Sequence, residues 1–156
     1  MKIRTAGILL MVVAILLVSC RSRILFEKTS SIPREGWKQD NFLAYTIPVD
    51  DTSKQYKISL LIRNEARYKY SNLFLFINTT APGGAGIRDT IEIRMADERG
   101  KWMGKGIGGK YTLEIPFKTQ VKFPQTGNYT IEIEQGMRDE NLEFITDLGL
   151  RIKNLK

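Results

Sequence analysis

From about residue 40 onward, apolar and polar positions alternate with a period of two, the pattern of strands that bury one face. Across Gln55 to Arg63, the residues Ile58, Leu60 and Ile62 oppose Lys57, Ser59 and Arg63. The alternation is cleaner further on, where Ile91, Ile93 and Met95 oppose Thr90, Glu92 and Arg94, and Tyr111, Leu113, Ile115 and Phe117 oppose Thr112 and Glu114. Tyr129, Ile131 and Ile133 oppose Thr130, Glu132 and Glu134, and Leu148, Leu150 and Ile152 close the chain with the same period. Earlier, Phe42 to Ile47 predicts a strand stopped by Pro48, and Ile24 to Phe26 a short first strand. Leu73 to Ile77 is apolar almost without interruption, which predicts a strand covered on both faces. Turn chemistry separates these runs at Asp50-Asp51-Thr52-Ser53, Thr79 to Gly84, Asp97 to Gly100 and Phe123 to Gly127. Asp139 to Phe144 is the one stretch that predicts a helical turn.

About eight short strands with one apolar face each predict an all-β fold, an antiparallel two-sheet β-sandwich, because a one-sided sheet hides its apolar face only against another sheet. Jelly-roll and immunoglobulin-like connections both fit, and no βαβ unit is indicated.

The beginning of the chain departs from this pattern. Lys2 and Arg4 precede an apolar run from Ala6 to Val18, then Leu17-Val18-Ser19-Cys20 and the basic Arg21-Ser22-Arg23. The tetrapeptide matches a lipobox, and the run is shorter than the ~20 apolar residues that cross a bilayer. It predicts a cleaved lipoprotein signal peptide over 1–19 and acylation of Cys20, and two or more acyl chains anchor a protein stably. Residues 20–38 are then a lipidated N-terminus and tether, and 39–156 a single β-sandwich domain. Arg21 in place of Asp after the cysteine, with basic instead of acidic residues following, points to the outer membrane and its periplasmic face.

Composition narrows the chemistry. The 156 residues carry a formal charge of +7, and loss of Lys2 and Arg4 with the signal peptide lowers it to +5. The cations are interleaved with Asp and Glu and form no dense block, so the chain is not a nucleic-acid binder. They make a solvated, mildly basic surface, with attraction to anionic headgroups or to an acidic envelope partner as the alternative. With no histidine, imidazole catalysis and His-based metal sites are excluded. The single cysteine excludes an internal disulfide.

Gly104-Lys105-Gly106-Ile107-Gly108-Gly109 spells G-x-G-x-x-G, but a strand-like Lys110 to Ile115 follows where a nucleotide site needs a helix. It predicts a glycine-rich bend and no nucleotide. The acidic pairs Asp50-Asp51, Asp97-Glu98 and Asp139-Glu140 lie in turns and lack calcium-loop spacing. No catalytic residue, metal or cofactor is assigned, and the protein is expected not to be an enzyme. Tyr68, Tyr70, Phe74 and Phe76, with Trp37 and Trp102 elsewhere, serve as core, or as anchors of an interface or a sugar site. Asp89-Thr90-Ile91 matches a short bacterial O-glycosylation spelling at Thr90.

Several pieces in order resemble the gliding-motility lipoprotein GldH family of Bacteroidetes: Gly36-Trp37, Leu61 to Asn64, Tyr68 to Leu73, Asp89-Thr90, Gly100 to Gly106, Gly127-Asn128-Tyr129, Glu134 to Arg138, and Asp147 to Ile152. Lys69 stands where the family pattern has Pro, and Phe144 where it has Gly. The resemblance implies a non-enzymatic envelope component of the gliding machinery and its associated secretion system. Such a component would be held in the membrane through Cys20 and bind other envelope proteins, with Tyr68, Tyr70, Asn72 and Trp102 as candidate interface residues. A carbohydrate-binding lipoprotein module of a surface polysaccharide-handling complex is the alternative, and it requires exposed, coplanar aromatics.

Overall fold

A computed structural model describes residues 24–155. The signal peptide and Cys20 lie outside the described residues. Eleven strands are formed: β1 Ile24–Ser31, β2 Trp37–Lys38, β3 Leu43–Val49, β4 Gln55–Glu65, β5 Asn72–Thr80, β6 Gly86–Arg94, β7 Lys105–Ile107, β8 Lys110–Val121, β9 Gly127–Gln135, β10 Asn141–Leu142 and β11 Ile145–Leu155. They make a five-stranded sheet ordered β1-β11-β4-β8-β7, a four-stranded sheet ordered β3-β9-β5-β6, and a small β10-β2 ribbon. Every pairing is antiparallel.

The three shortest strands aside, the first, eighth, third and sixth long strands form one sheet and the second, seventh, fourth and fifth the other. This is a jelly roll, the first of the two connections that the alternation permits. The inward residues are those the period-two pattern marks: Ile58, Leu60 and Ile62 of β4, Leu148, Leu150 and Ile152 of β11, and Ile131 and Ile133 of β9 are all buried. Tyr45 ties the layers together, its hydroxyl donating across the core to the Leu148 carbonyl at 2.7 Å.

Four local expectations are corrected. Among the described residues there is no helix, and Asp139 to Phe144 instead supplies β10, which pairs Leu142 with Trp37. Both side chains are fully buried, so the gain comes from two large apolar groups entering the core together. The tether expected up to Lys38 is folded from Ile24 on, because β1 pairs along β11 from Ile24 to Ser31 and Trp37 is core. The strand at Leu43 runs through Pro48 to Val49, since β3 is a sheet edge where a missing N–H disrupts no second ladder. Finally, β5 is covered fully on one face only: Leu73, Leu75 and Ile77 point into the core, while Phe74 and Phe76 are half-buried on the outside.

The glycine-rich segment is the bend expected. β7 and β8 form a hairpin whose tip, Gly108 and Gly109, has φ of 66° and 80°. At Gly106 a Cβ would stand 1.8 Å from the Lys110 carbonyl oxygen, so only glycine fits there.

Candidate functional site

Three of the four residues expected at an interface come together in a row of rings where β4 hands over to β5. Tyr68 meets Tyr70 edge-on at 5.8 Å and Trp102 at 6.2 Å, and Trp102 continues to Tyr111 at 6.1 Å. Tyr68 itself is only 4% exposed. Its hydroxyl donates to the Asn72 carbonyl at 2.9 Å, and burial pushes its phenol pKa upward. It therefore fixes the turn from inside and offers no contact surface. Trp102 is half-buried against the same cluster, paired through its backbone with Ala96.

Tyr70 and Asn72 reach the surface. The Tyr70 hydroxyl donates to Asp139 at 2.8 Å, and Lys69 pairs with the same carboxylate at 2.6 Å while lying 5.1 Å from the Tyr70 ring. These two hydrogen bonds, Lys69 first, hold the Asp139 carboxyl below the usual carboxylate range. Lys69 thus ties this turn by charge to the Asp139 segment. The Asn72 side-chain amide donates to Glu92 at 2.7 Å.

Beside them opens a shallow groove of about 460 Å³ on the outer face of the four-stranded sheet, lined by Tyr70, Asn72, Phe74, Gly136, Met137 and Arg138. The β5–β9 register, Leu75 opposite Gln135, brings these two segments together. Gly136 donates its N–H to the Phe74 carbonyl at 2.7 Å, and a Cβ there would press on the Phe76 ring at 3.1 Å. The groove floor exists because that position has no side chain. Behind it, Gln135 is 2% exposed, and its amide donates to the Asp139 carbonyl at 2.8 Å and accepts from the Met137 N–H at 2.8 Å.

Gly136, Met137 and Arg138 are missing from the candidate residues read in the sequence, although they stand in one of its family-like pieces. Phe74 is there as part of an aromatic cluster. Its outward side was hidden by the unbroken apolar run in which it sits.

The groove offers apolar surface, an amide and one exposed guanidinium, and no arrangement for bond-making. The acidic pairs act in turns: Asp51 accepts from the Ser53 N–H at 2.9 Å and pairs with Lys54 at 3.0 Å, and Asp97 accepts from the Arg99 and Lys101 N–H groups, each at 2.9 Å. Among the described residues no three acidic, His or Cys side chains gather as a metal site. Trp37 is fully buried and Trp102 is wedged between tyrosines, so the tryptophans present no coplanar platform for a sugar. Thr90 is exposed on β6, next to Asp89, which Lys118 holds at 2.8 Å.

Residues 24–152 match the family model described as GldH lipoprotein. The chain is 35% identical over 160 residues to the gliding motility lipoprotein GldH of Flavobacterium johnsoniae, with 98% of each chain covered. It is 35% identical over 146 residues to a gliding motility lipoprotein GldH homolog of Christiangramia forsetii, with 89% of each covered. Among solved structures, an exo-beta-1,3-galactanase from Phanerochaete chrysosporium overlaps with a TM-score of 0.43 at 9% identity, over 81% of this chain and 27% of that one. The match along nearly the whole chain, behind the lipobox and over the jelly roll described above, places it: the chain belongs to the GldH lipoprotein family.

Proposed function

We propose that this protein is a non-catalytic, lipid-anchored component of the gliding motility machinery and its associated secretion system, acting by binding other envelope proteins. Its relatives carry the name gliding motility lipoprotein, which supports a place in the cell envelope on a membrane. The anchor is the acylated Cys20, and the basic residues after it favour the outer membrane facing the periplasm.

The observation that carries the binding reading is the groove of Tyr70, Asn72, Phe74, Gly136, Met137 and Arg138. Its half-buried aromatic floor and polar rim have the composition of an interface core, where Tyr, Phe, Met and Arg are enriched. Tyr68 and Trp102 hold that surface in shape from behind. Protein binding needs such a rigid, partly apolar patch and no catalytic group.

The test is recovery of partners from outer membranes with the lipidated protein as bait. Asn72→Arg combined with Arg138→Glu changes the rim of the groove without touching the core, and it should lose the partners that the parent chain retains. Cys20→Ala should release the protein from the membrane while leaving the jelly roll folded. Unchanged partner recovery by the rim variant, with its fold intact, contradicts the assignment.

A further inference from the structure

The outer face of the five-stranded sheet has the opposite character to the aromatic groove. Across its strands the outward residues fall in rows: Lys153 beside Lys57, Glu27 beside Arg151 and Ser59, Ser31 beside Asp147, Arg63, Thr112 and Lys105, and Glu65 beside Lys110. Its four carboxylates are each taken by an arginine: Glu27 and Glu114 by Arg151, Asp147 by Arg63, and Glu65 by Arg67. Among the described residues, none of the lysines of this face, Lys57, Lys105, Lys110 and Lys153, forms a salt bridge; Lys110 and Lys153 only add to the field at Glu65 and Glu27, carboxylates that Arg67 and Arg151 already hold. Arg34 adds a further cation at its far end, in a basin of about 660 Å³ that also holds Arg63, Arg67 and Lys110.

The asymmetry is larger than the chain's overall charge suggests. Of 24 Lys and Arg, five (Lys2, Arg4, Arg21, Arg23 and Lys156) lie outside the described residues, leaving 19 against 17 carboxylates. Eight of those 19 cations are on this face or its rim, with only four of the carboxylates, so the remaining surface carries more acids than bases.

Two corners of the face bear on a lipid surface. At one, the glycine hairpin lifts Ile107 to 95% exposure between Lys105 and Lys110, with Met103 at 52% nearby. A lone exposed aliphatic is ordinary; one raised between two exposed lysines at the rim of a cationic face is the amphipathic arrangement suited to a headgroup region. At the diagonally opposite corner is Ile24, paired with Lys153. Cys20 precedes it by four residues, a reach of at most about 14 Å.

We propose that the outer face of the five-stranded sheet lies on the anionic headgroups of the bilayer that holds Cys20, with Ile107 entering the interface as a second point of attachment. This rests on the reading of Cys20 as acylated. The acyl anchor at the Ile24 corner alone would let the module pivot. A second contact at the Ile107 corner, roughly 35 Å away along strands of eleven residues, fixes its tilt. Each lysine brought to an anionic surface strengthens the association about fivefold. In this orientation the groove on the opposite sheet faces away from the membrane, toward its partners.

The experiment uses the full acylated chain on vesicles, with an environment-sensitive fluorophore at Ile107→Cys and, separately, at Thr46→Cys on the outer face of the four-stranded sheet. Acylation occupies Cys20, so the introduced thiol takes the label. On vesicles containing phosphatidylglycerol, the label at position 107 should shift to the blue and that at position 46 should not. Lys105→Gln with Lys110→Gln should lose most of the shift, as should vesicles of phosphatidylcholine alone. Flotation separates the two readings: a chain that does not float with vesicles overturns the acylation of Cys20, and the proposal with it. A chain that floats while its label at position 107 stays aqueous overturns the proposal alone. A label at position 107 that is aqueous on anionic vesicles but responds to polyglutamate assigns the face to an acidic protein and also overturns it.

Discussion

Phe144 is the one described non-glycine residue with positive φ, at 69°. This conformation favours Gly, and holding it costs an L-residue about 1–2 kcal/mol. Its ring offsets the strain by packing half-buried against the core with the Arg67 guanidinium 4.4 Å from its centroid. Opposed terms of this kind separate on substitution. Both Phe144→Ala and Phe144→Gly lose the ring, but only Ala retains the strain. Urea unfolding should therefore find the Gly variant more stable than the Ala variant by about 1 kcal/mol, the reverse of their usual order. An Ala variant equal to or better than Gly would show that the conformation is not strained. Among the carboxylates, Asp51 is held down at about 2 by hydrogen bonds from Ser53 and then Lys54. Glu27 is lowered by Arg151, Glu65 by Arg67 and Asp139 by Lys69. Folded pKa values below the unfolded ones contribute stability above the ordinary carboxylate range, and that contribution disappears as pH falls through the lowered values. The unfolding midpoint should thus be level near neutrality, fall below about pH 4, and fall less steeply between about pH 4 and 2 in Asp51→Asn.

At the scale of elements, the groove depends on short pieces that periodicity does not reveal. β2 and β10 have two residues each, too few for an alternation to be seen, yet they bury Trp37 and Leu142. Gln135 joins them to β9, donating to the carbonyls of Trp37 at 3.4 Å and Asp139 at 2.8 Å. Gln135→Leu would leave the Met137 N–H and the Asp139 carbonyl without this partner. It should cost about 2–4 kcal/mol in denaturant unfolding, with faster hydrogen exchange across 136–142. A loss under about 0.5 kcal/mol would remove Gln135 from this role. The hairpin gives a second case: Gly106→Ala forces a Cβ into the Lys110 carbonyl and should release the β7–β8 pairing, read as faster exchange at 105–112 with the rest of the jelly roll protected. The long strands were legible because one buried and one solvated face impose a period of two. The faces of β5 were not, because Phe74 and Phe76 are apolar on the outer side too, where they stay half-buried instead of entering the core.

For the whole molecule, the sandwich class follows from eight one-sided strands, but the choice of jelly roll rests on which distant strands pair, such as β1 with β11, and no local pattern records that. Tyr68, Tyr70 and Trp102 were recognisable as a set, and the structure separates their roles: Tyr68 braces from within, while Tyr70 with Asn72 reaches the groove. The partners of that groove, Gly136 to Arg138, come some sixty residues later and join it only through the β5–β9 register. The resulting account is of a jelly roll with two unlike outer faces, one cationic and one with an aromatic groove. It is tested most directly by photo-crosslinking in the native membrane, with a photoreactive residue in place of Asn72 or Arg138 and, for comparison, in place of Lys57 on the cationic face. The account predicts discrete adducts with other envelope proteins from the two groove positions and none with protein from position 57. Protein adducts from position 57 alone, or none from the groove in membranes where the machinery is assembled, would contradict it.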